Sequence, residues 1–134
     1  MPTTYPEGWL RTAIEAAALC NAFPLRVPAG QAPPFVMFGQ AGQQDLDTLD
    51  ETAGLTTIVE GTFQVEIYAD GYLQAKEIAQ AIRLALRNFA GSVGDLKIHR
   101  VGIDGQQDGD PVFMDGRDEP TYVVEQTYSI AWEE

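Results

Sequence analysis

Nucleophilic catalysis needs a nucleophile beside a base, and this chain offers few of either. It holds one histidine, His99, one cysteine, Cys20, and two serines, Ser92 and Ser129. No GxSxG, HExxH, CxxC or GxxxxGK[ST] pattern occurs, so the common hydrolase, zinc, redox and nucleotide signatures are missing. His99 sits between Lys97 and Arg100, which reads as a solvated strand position, and Cys20 near the end of an Ala-rich stretch reads as a small core residue. The 20 acidic residues leave room for a glycosidase-type carboxylate pair, but no pair is singled out. The best metal candidate is the run DGQQDGDPVFMD, in which Asp104, Asp108, Gly109 and Asp115 fall at loop positions one, five, six and twelve of a calcium-binding EF-hand. Gln106 stands at position three, the twelfth residue is Asp and not Glu, and strand patterns flank the loop. An Asp/Gly-rich hairpin loop is the plain reading and calcium the alternative. We expect no catalytic residues and no cofactor.

The placement of charge says more than any motif. The net charge is −12, from 8 basic and 20 acidic residues, and this opposes wrapping nucleic acid or lying on an anionic membrane. Ten acids fall in two stretches, Asp45, Asp47, Asp50 and Glu51 in one and Asp104, Asp108, Asp110, Asp115, Asp118 and Glu119 in the other. If both stretches are hairpin loops on the same side, they form one negative end. Such an end repels polyanions or meets a basic partner; ordinary solvation of loops is the other reading. Leu84 falls off the apolar stripe of its helix, and Val112, Phe113 and Met114 form an apolar island in a polar stretch, so these four are candidate oligomer contacts.

The elements that must position these groups centre on residues 62–89. Phe63, Val65 and Ile67 alternate with Gln64, Glu66 and Tyr68, a strand with one buried face. Ala75, Ile78, Ala79, Ile82, Ala85, Leu86 and Phe89 then recur at helical spacing, with Asp70 placed to cap the helix. Before this unit come a loose arm over residues 1–5, a helix over Trp9–Ala22, a Pro-rich connector and a strand over Phe35–Gln40, followed by an acidic loop over 41–55. After it come a strand over Leu96–Ile103, with a bulge expected near His99 or Arg100, a loop over 104–120 and a strand over Thr121–Trp132. On the last strand Tyr122, Val124, Gln126, Tyr128, Ile130 and Trp132 share a face. The order helix, two strands, helix, two strands predicts one α+β domain: a four-stranded, mainly antiparallel sheet with two helices on one face. GQQD occurs twice, at Gly42–Asp45 and Gly105–Asp108, which hints at a repeat, though the flanking residues give coincidence at least equal standing.

With 134 residues and 45% hydrophobic composition the chain can build a core without staples. The single cysteine excludes an internal disulfide and suits a reducing cytoplasm. No apolar run has the length of a membrane-spanning helix, and the start, MPTTYPEGW, has no signal-peptide pattern.

An Ala-rich helix, a Pro-rich connector to PFVMF, the unit GTFQVEIYADGYLQAKEIAQAIRLAL, a Gly-bounded hairpin and a strand ending YSIAW occur in that order. This pattern, from Trp9 to Trp132, resembles the tail completion or tail terminator proteins of long-tailed bacteriophages and gene transfer agents. The resemblance implies a structural virion protein and not an enzyme. It implies a homo-oligomeric ring, usually a hexamer, that caps the tail tube, ends its polymerisation and meets the head–tail connector proteins. DNA would pass through the lumen without being gripped, and acidic loop residues would face that lumen or a partner. Another connector or tail tube subunit is the neighbouring reading, and a small calcium-binding or enzymatic module is the more distant one.

Overall fold

The computed structural model describes residues 5–46, 58–87, 89–114 and 116–133. Its elements are α1 (Glu7–Ala18), β1 (Ala22–Pro24), β2 (Phe35–Leu46), β3 (Ile58–Ala69), α2 (Tyr72–Leu86), β4 (Gly91–Val93), β5 (Leu96–Asp108) and β6 (Tyr122–Glu133). They form one six-stranded mixed sheet in the order β1-β2-β3-β6-β5-β4. The expected four-stranded sheet is therefore corrected. The four long strands are present, and a short strand is added at each edge. β1 runs parallel to β2, with Ala22 opposite Val36, and β4 runs antiparallel to β5, with Gly91 opposite Ile98. Three residues cannot show a period, and β1 ends on a proline while β4 opens on a glycine, so neither edge carries a strand signature.

The central unit folds as its residues dictate. Val59, Phe63, Val65 and Ile67 of β3 are buried, and so are Ala75, Ile78, Ala79, Ile82 and Leu86 of α2. Each fully buried Ile or Leu contributes roughly 1.5–3 kcal/mol. Leu10 and Ile14 of α1 join the same core, and Phe89, half-buried at its edge, packs against Trp9 with tilted rings and centroids 4.9 Å apart. Helix α1 spans less than expected because Leu19 takes a left-handed conformation (φ 58°) that ends it before Ala22 enters β1. Asp70 does not cap α2. The N-cap is Gly71, and the Asp70 carboxylate pairs instead with Arg117.

On β6 the face of Val124, Gln126, Tyr128, Ile130 and Trp132 is buried as its alternation predicts. Gln126 is the polar member, and all its hydrogen bonds are internal. Its amide nitrogen donates to the Ala79 carbonyl of α2 (2.8 Å) and to Gln106 Oε1 of β5 (2.9 Å), and its oxygen accepts from the Tyr128 hydroxyl (2.8 Å). One side chain thus ties a helix and two strands, and burial pushes the Tyr128 hydroxyl pKa upward.

The long strands extend further than their apolar stretches. β2 continues to Leu46 and β5 to Asp108, so residues 41–46 and 104–108, expected in loops, are paired strand. Backbone pairing to the anchored β3 and β6 carries these polar ends past the region that the helices cover. β5 has the expected bulge, between Ile98 and Arg100, and a second between Ile103 and Gly105; β2 has one between Gln40 and Gly42. The GQQD repeats begin directly after these last two shifts. Gly42 then opposes Thr62, and Gly105 opposes Thr127, within the matching runs VEGTF (59–63) and VEQTY (124–128). Gln44 donates to Glu60 (3.5 Å) and Gln107 to Glu125 (3.0 Å). Phe63 opposes Tyr128, its own counterpart, so a local two-fold relation centres on that pair. The repetition is structural, and coincidence between two polar loops does not account for it.

Gly61 lies beside this centre. Its pairing on both sides is regular, and its backbone is closely approached: a Cβ would lie 2.8 Å from Phe63 Cε2 and 2.9 Å from Trp132 Cζ3. These ring atoms are packed in the core. Gly61→Ala is expected to lower unfolding free energy by about 1–3 kcal/mol in urea titrations followed by circular dichroism. A variant as stable as wild type would show that the two rings shift freely.

Candidate assembly surfaces

Strand direction decides where the acidic stretches go. Leu46 and Ile58, at the ends of the β2–β3 hairpin, lie level with Glu133 at the end of β6. Asp108, at the tip end of the β5–β6 hairpin, opposes Val124, which lies level with Ile67 and Val36 at the other end. The two hairpins therefore point in opposite directions, and the expectation of one negative end is overturned. The reason is the crossover. α2 spans about 22 Å and carries the chain back along the sheet before β5 starts, so the second hairpin must turn at the opposite pole.

Of the acidic candidates, Asp47, Asp50, Glu51 and Asp115 lie outside the described residues, and Asp45 is described only as strand backbone opposite Val59. Asp110 is exposed. Asp104 and Asp108 sit in β5, so the helix–loop–helix setting of a calcium loop is absent at its first five positions. Asp104 accepts from the Ser129 hydroxyl (2.5 Å). Asp108 is bound on both oxygens, to Lys76 Nζ (2.6 Å) and to the Tyr72 hydroxyl (2.8 Å). The hydrogen bond from Lys76, then that from Tyr72, holds its carboxyl below the ordinary range, and the same contact raises Lys76. Among the described residues no group of three His, Cys, Asp or Glu could hold a metal. His99 meets Glu133 (2.9 Å), and burial followed by the nearby Glu15 charge pushes the Cys20 thiol up, away from the reactive thiolate.

The apolar candidates are on the surface. Leu84 is 54% exposed and Phe113 68%, Val112 is partly exposed and pairs with Thr121, and Met114 is half-buried and lines a cavity with the connector residues Val27–Pro33. Leu73, 73% exposed, lies on the same side of α2 as Leu84, three helical turns away. Helix α2 thus has a second apolar edge that its own sheet does not cover.

The sheet face away from the helices was not singled out by any motif. Its polar rows become visible only once β3 and β6 are in register. Glu60 pairs with Arg100, and Glu133 with His99 and with Lys97 (3.7 Å). Toward the other pole, Glu66 and Glu125 stand directly opposite each other across the β3–β6 pair. Glu66 accepts from the Tyr68 hydroxyl (2.6 Å) and Glu125 from Gln107, and among the described residues no Lys, Arg or His is in ion-pair contact with either. Burial raises the Tyr68 hydroxyl pKa, with the Glu66 contact and the Glu125 charge adding to it. Beside them Leu25, Met37 and Gly39 line an apolar notch that also touches Gln64 and Glu66.

A mixed sheet with one helical layer thus leaves a polar sheet face and an apolar edge of α2 at the surface. Residues 8–131 match the family model described as tail completion protein gp17, and the chain belongs to that family. It is a structural protein of the phage tail, and its place is the virion. The fold is similar to that of a chain in the virion of a native gene transfer agent particle, with a TM-score of 0.59 and 14% identity over 93% of this chain and 84% of that one. A second solved chain has a TM-score of 0.52 and 19% identity over 92% and 89%. No curated protein matches it by sequence.

The Asp108 contacts predict a pH dependence. A depressed carboxyl contributes stability above its ordinary value of 3.8, and that contribution is lost as pH falls below it. Asp108→Asn is therefore expected to melt below wild type at neutral pH, with the gap closing as both are acidified. Thermal melts from neutral pH to below 4 check this, and a gap independent of pH would assign the loss to packing.

Proposed function

We propose that this protein forms a closed ring, a hexamer, that caps the tail tube, ends its polymerisation and joins the tail to the head through the connector proteins. Membership of the tail completion family is the observation that carries this reading. The surface supports it. A ring needs two unlike patches on each subunit, because its contacts are heterologous. The chain carries an exposed apolar edge on α2 and a polar, carboxylate-bearing face on the other side of the sheet.

The charge suits a conduit. Each subunit brings −12, so a ring repels DNA phosphates and lets the genome slide without adhesion. The opposed hairpins put loop acids at both poles of the subunit. In sequence Asp45, Asp47, Asp50 and Glu51 fall at and after the end of β2, and Asp110 and Asp115 fall after β5, while Asp108 is held by Lys76. These acids face the lumen or the neighbouring layer. Assembly takes place in the bacterial cytoplasm, and no helix among the described residues is long and apolar enough to cross a membrane.

Two measurements test the reading. Purified protein added to growing tail tubes is expected to bind their ends and halt elongation, as seen by electron microscopy; self-polymerisation into tubes would instead make it a tube subunit. Particles carrying Asp45→Lys, Asp47→Lys and Asp50→Lys together are expected to assemble but deliver DNA poorly, and full infectivity would remove these acids from the DNA path.

A further inference from the structure

The internal repetition supplies a control within the molecule. The two-fold relation centred on Phe63 and Tyr128 maps the row Arg100, Ala131, Glu60 onto the row Met37, Glu66, Glu125. Each row crosses three strands of the open sheet face. In the first, Glu60 is neutralised by the Arg100 guanidinium, with the small Ala131 between them. In the second, the arginine is replaced by Met37 and the alanine by a second carboxylate. Like charges directly opposite on an antiparallel pair are unfavourable, and nothing within the described chain neutralises them. One half of the sheet therefore contains a filled guanidinium position, and the other half contains the same position with its acids doubled and its cation missing.

We propose that a second copy of this chain supplies that cation, with Arg87, at the C-cap of its α2, reaching Glu66 and Glu125 and Leu84 seated in the notch of Leu25, Met37 and Gly39. This deepens the ring reading and rests on it. The choice of donor follows from charge. Of the eight Lys and Arg residues, Arg11, Lys76, Lys97, Arg100 and Arg117 already have carboxylate partners. Arg26 follows Leu25 at the acceptor notch itself, and Arg83 is half-buried with its Nε enclosed and unpartnered. Arg87 is exposed and stands at the C-cap of α2, three residues after the exposed Leu84, so both lie in the last turn and end of the same helix. A guanidinium fits this setting better than an ammonium because its fork can serve two carboxylates at once. The helices lie on the opposite side of the sheet from the acids. A helix-to-sheet contact therefore joins unlike faces and repeats from copy to copy, as a ring demands.

Native mass spectrometry of the full chain tests the contact. Wild type is expected to show the closed assembly. Glu66→Lys with Glu125→Lys, and separately Arg87→Glu, are each expected to weaken association about ten-fold or more, and combining all three to restore it. The milder Glu66→Gln with Glu125→Gln guards against misfolding, with circular dichroism confirming the fold, and is expected to weaken assembly in the same direction. A wild-type chain that stays monomeric would overturn the ring and this contact together. Rings that survive every single-side reversal would overturn the contact alone. Loss with the acid reversals but not with Arg87→Glu would mean that a different partner, such as the tube or connector protein, occupies the face.

Discussion

The antiparallel pairing of β3 with β6 is the constraint on which everything else depends. Each of these strands is also the inner partner of its own hairpin, so among the described residues the pairing is the only sheet contact between the two halves of the chain. At its middle, Phe63 faces Tyr128, and both side chains are fully buried under the helices. A slip of one residue would turn the core residues of the slipped strand to the open face and its carboxylates inward. The core thus fixes the register, and the register in turn fixes which charges stand beside which on the far side. The surface chemistry is a consequence of apolar packing that the surface residues do not themselves perform.

Gln126 shows the same dependence from within. It occupies a core-face position that alternation assigns to an apolar side chain, and three internal partners satisfy it. In the other half the equivalent position is Gly61, which leaves room for two aromatic rings. The two halves thus share a backbone plan and solve the same packing problem differently, one with a hydrogen-bonded amide and the other with an absence of side chain. The differences between related positions, more than the similarities, mark where a half has been adapted.

Much of this was legible in the residues. The alternation in 62–69 and 122–132 and the helical stripe from Ala75 to Leu86 identified the long elements and their buried faces, because large apolar side chains enforce period. The bulge near His99 was visible as a change of parity. The edge strands were not visible, since Ala22–Pro24 and Gly91–Val93 are too short to alternate and owe their form to the strands beside them. Nor was the course of 41–46 and 104–108, where polar residues are held straight by backbone pairing alone. The direction of the hairpins depends on the crossover through α2, which no local pattern records. The opposition of Glu66 and Glu125 needed the inter-strand register, and so the most informative charges on the surface looked like ordinary strand polars. Asp70 looked like a helix cap by type and place, but Arg117, far away in sequence, claims it.

The opposed hairpins have a further consequence. A strand of twelve residues is about 40 Å long, so the paired ends from which the two hairpins turn are separated by nearly the full length of the sheet. A residue gained or lost at one tip does not pass through the β3–β6 pairing and leaves the register at the other tip unaltered. Loops also tolerate such changes at small energetic expense. The two poles of the molecule can therefore diverge independently. A lineage could refit one end to a new neighbour while keeping an old one at the other, with the sheet between them acting as an insulator.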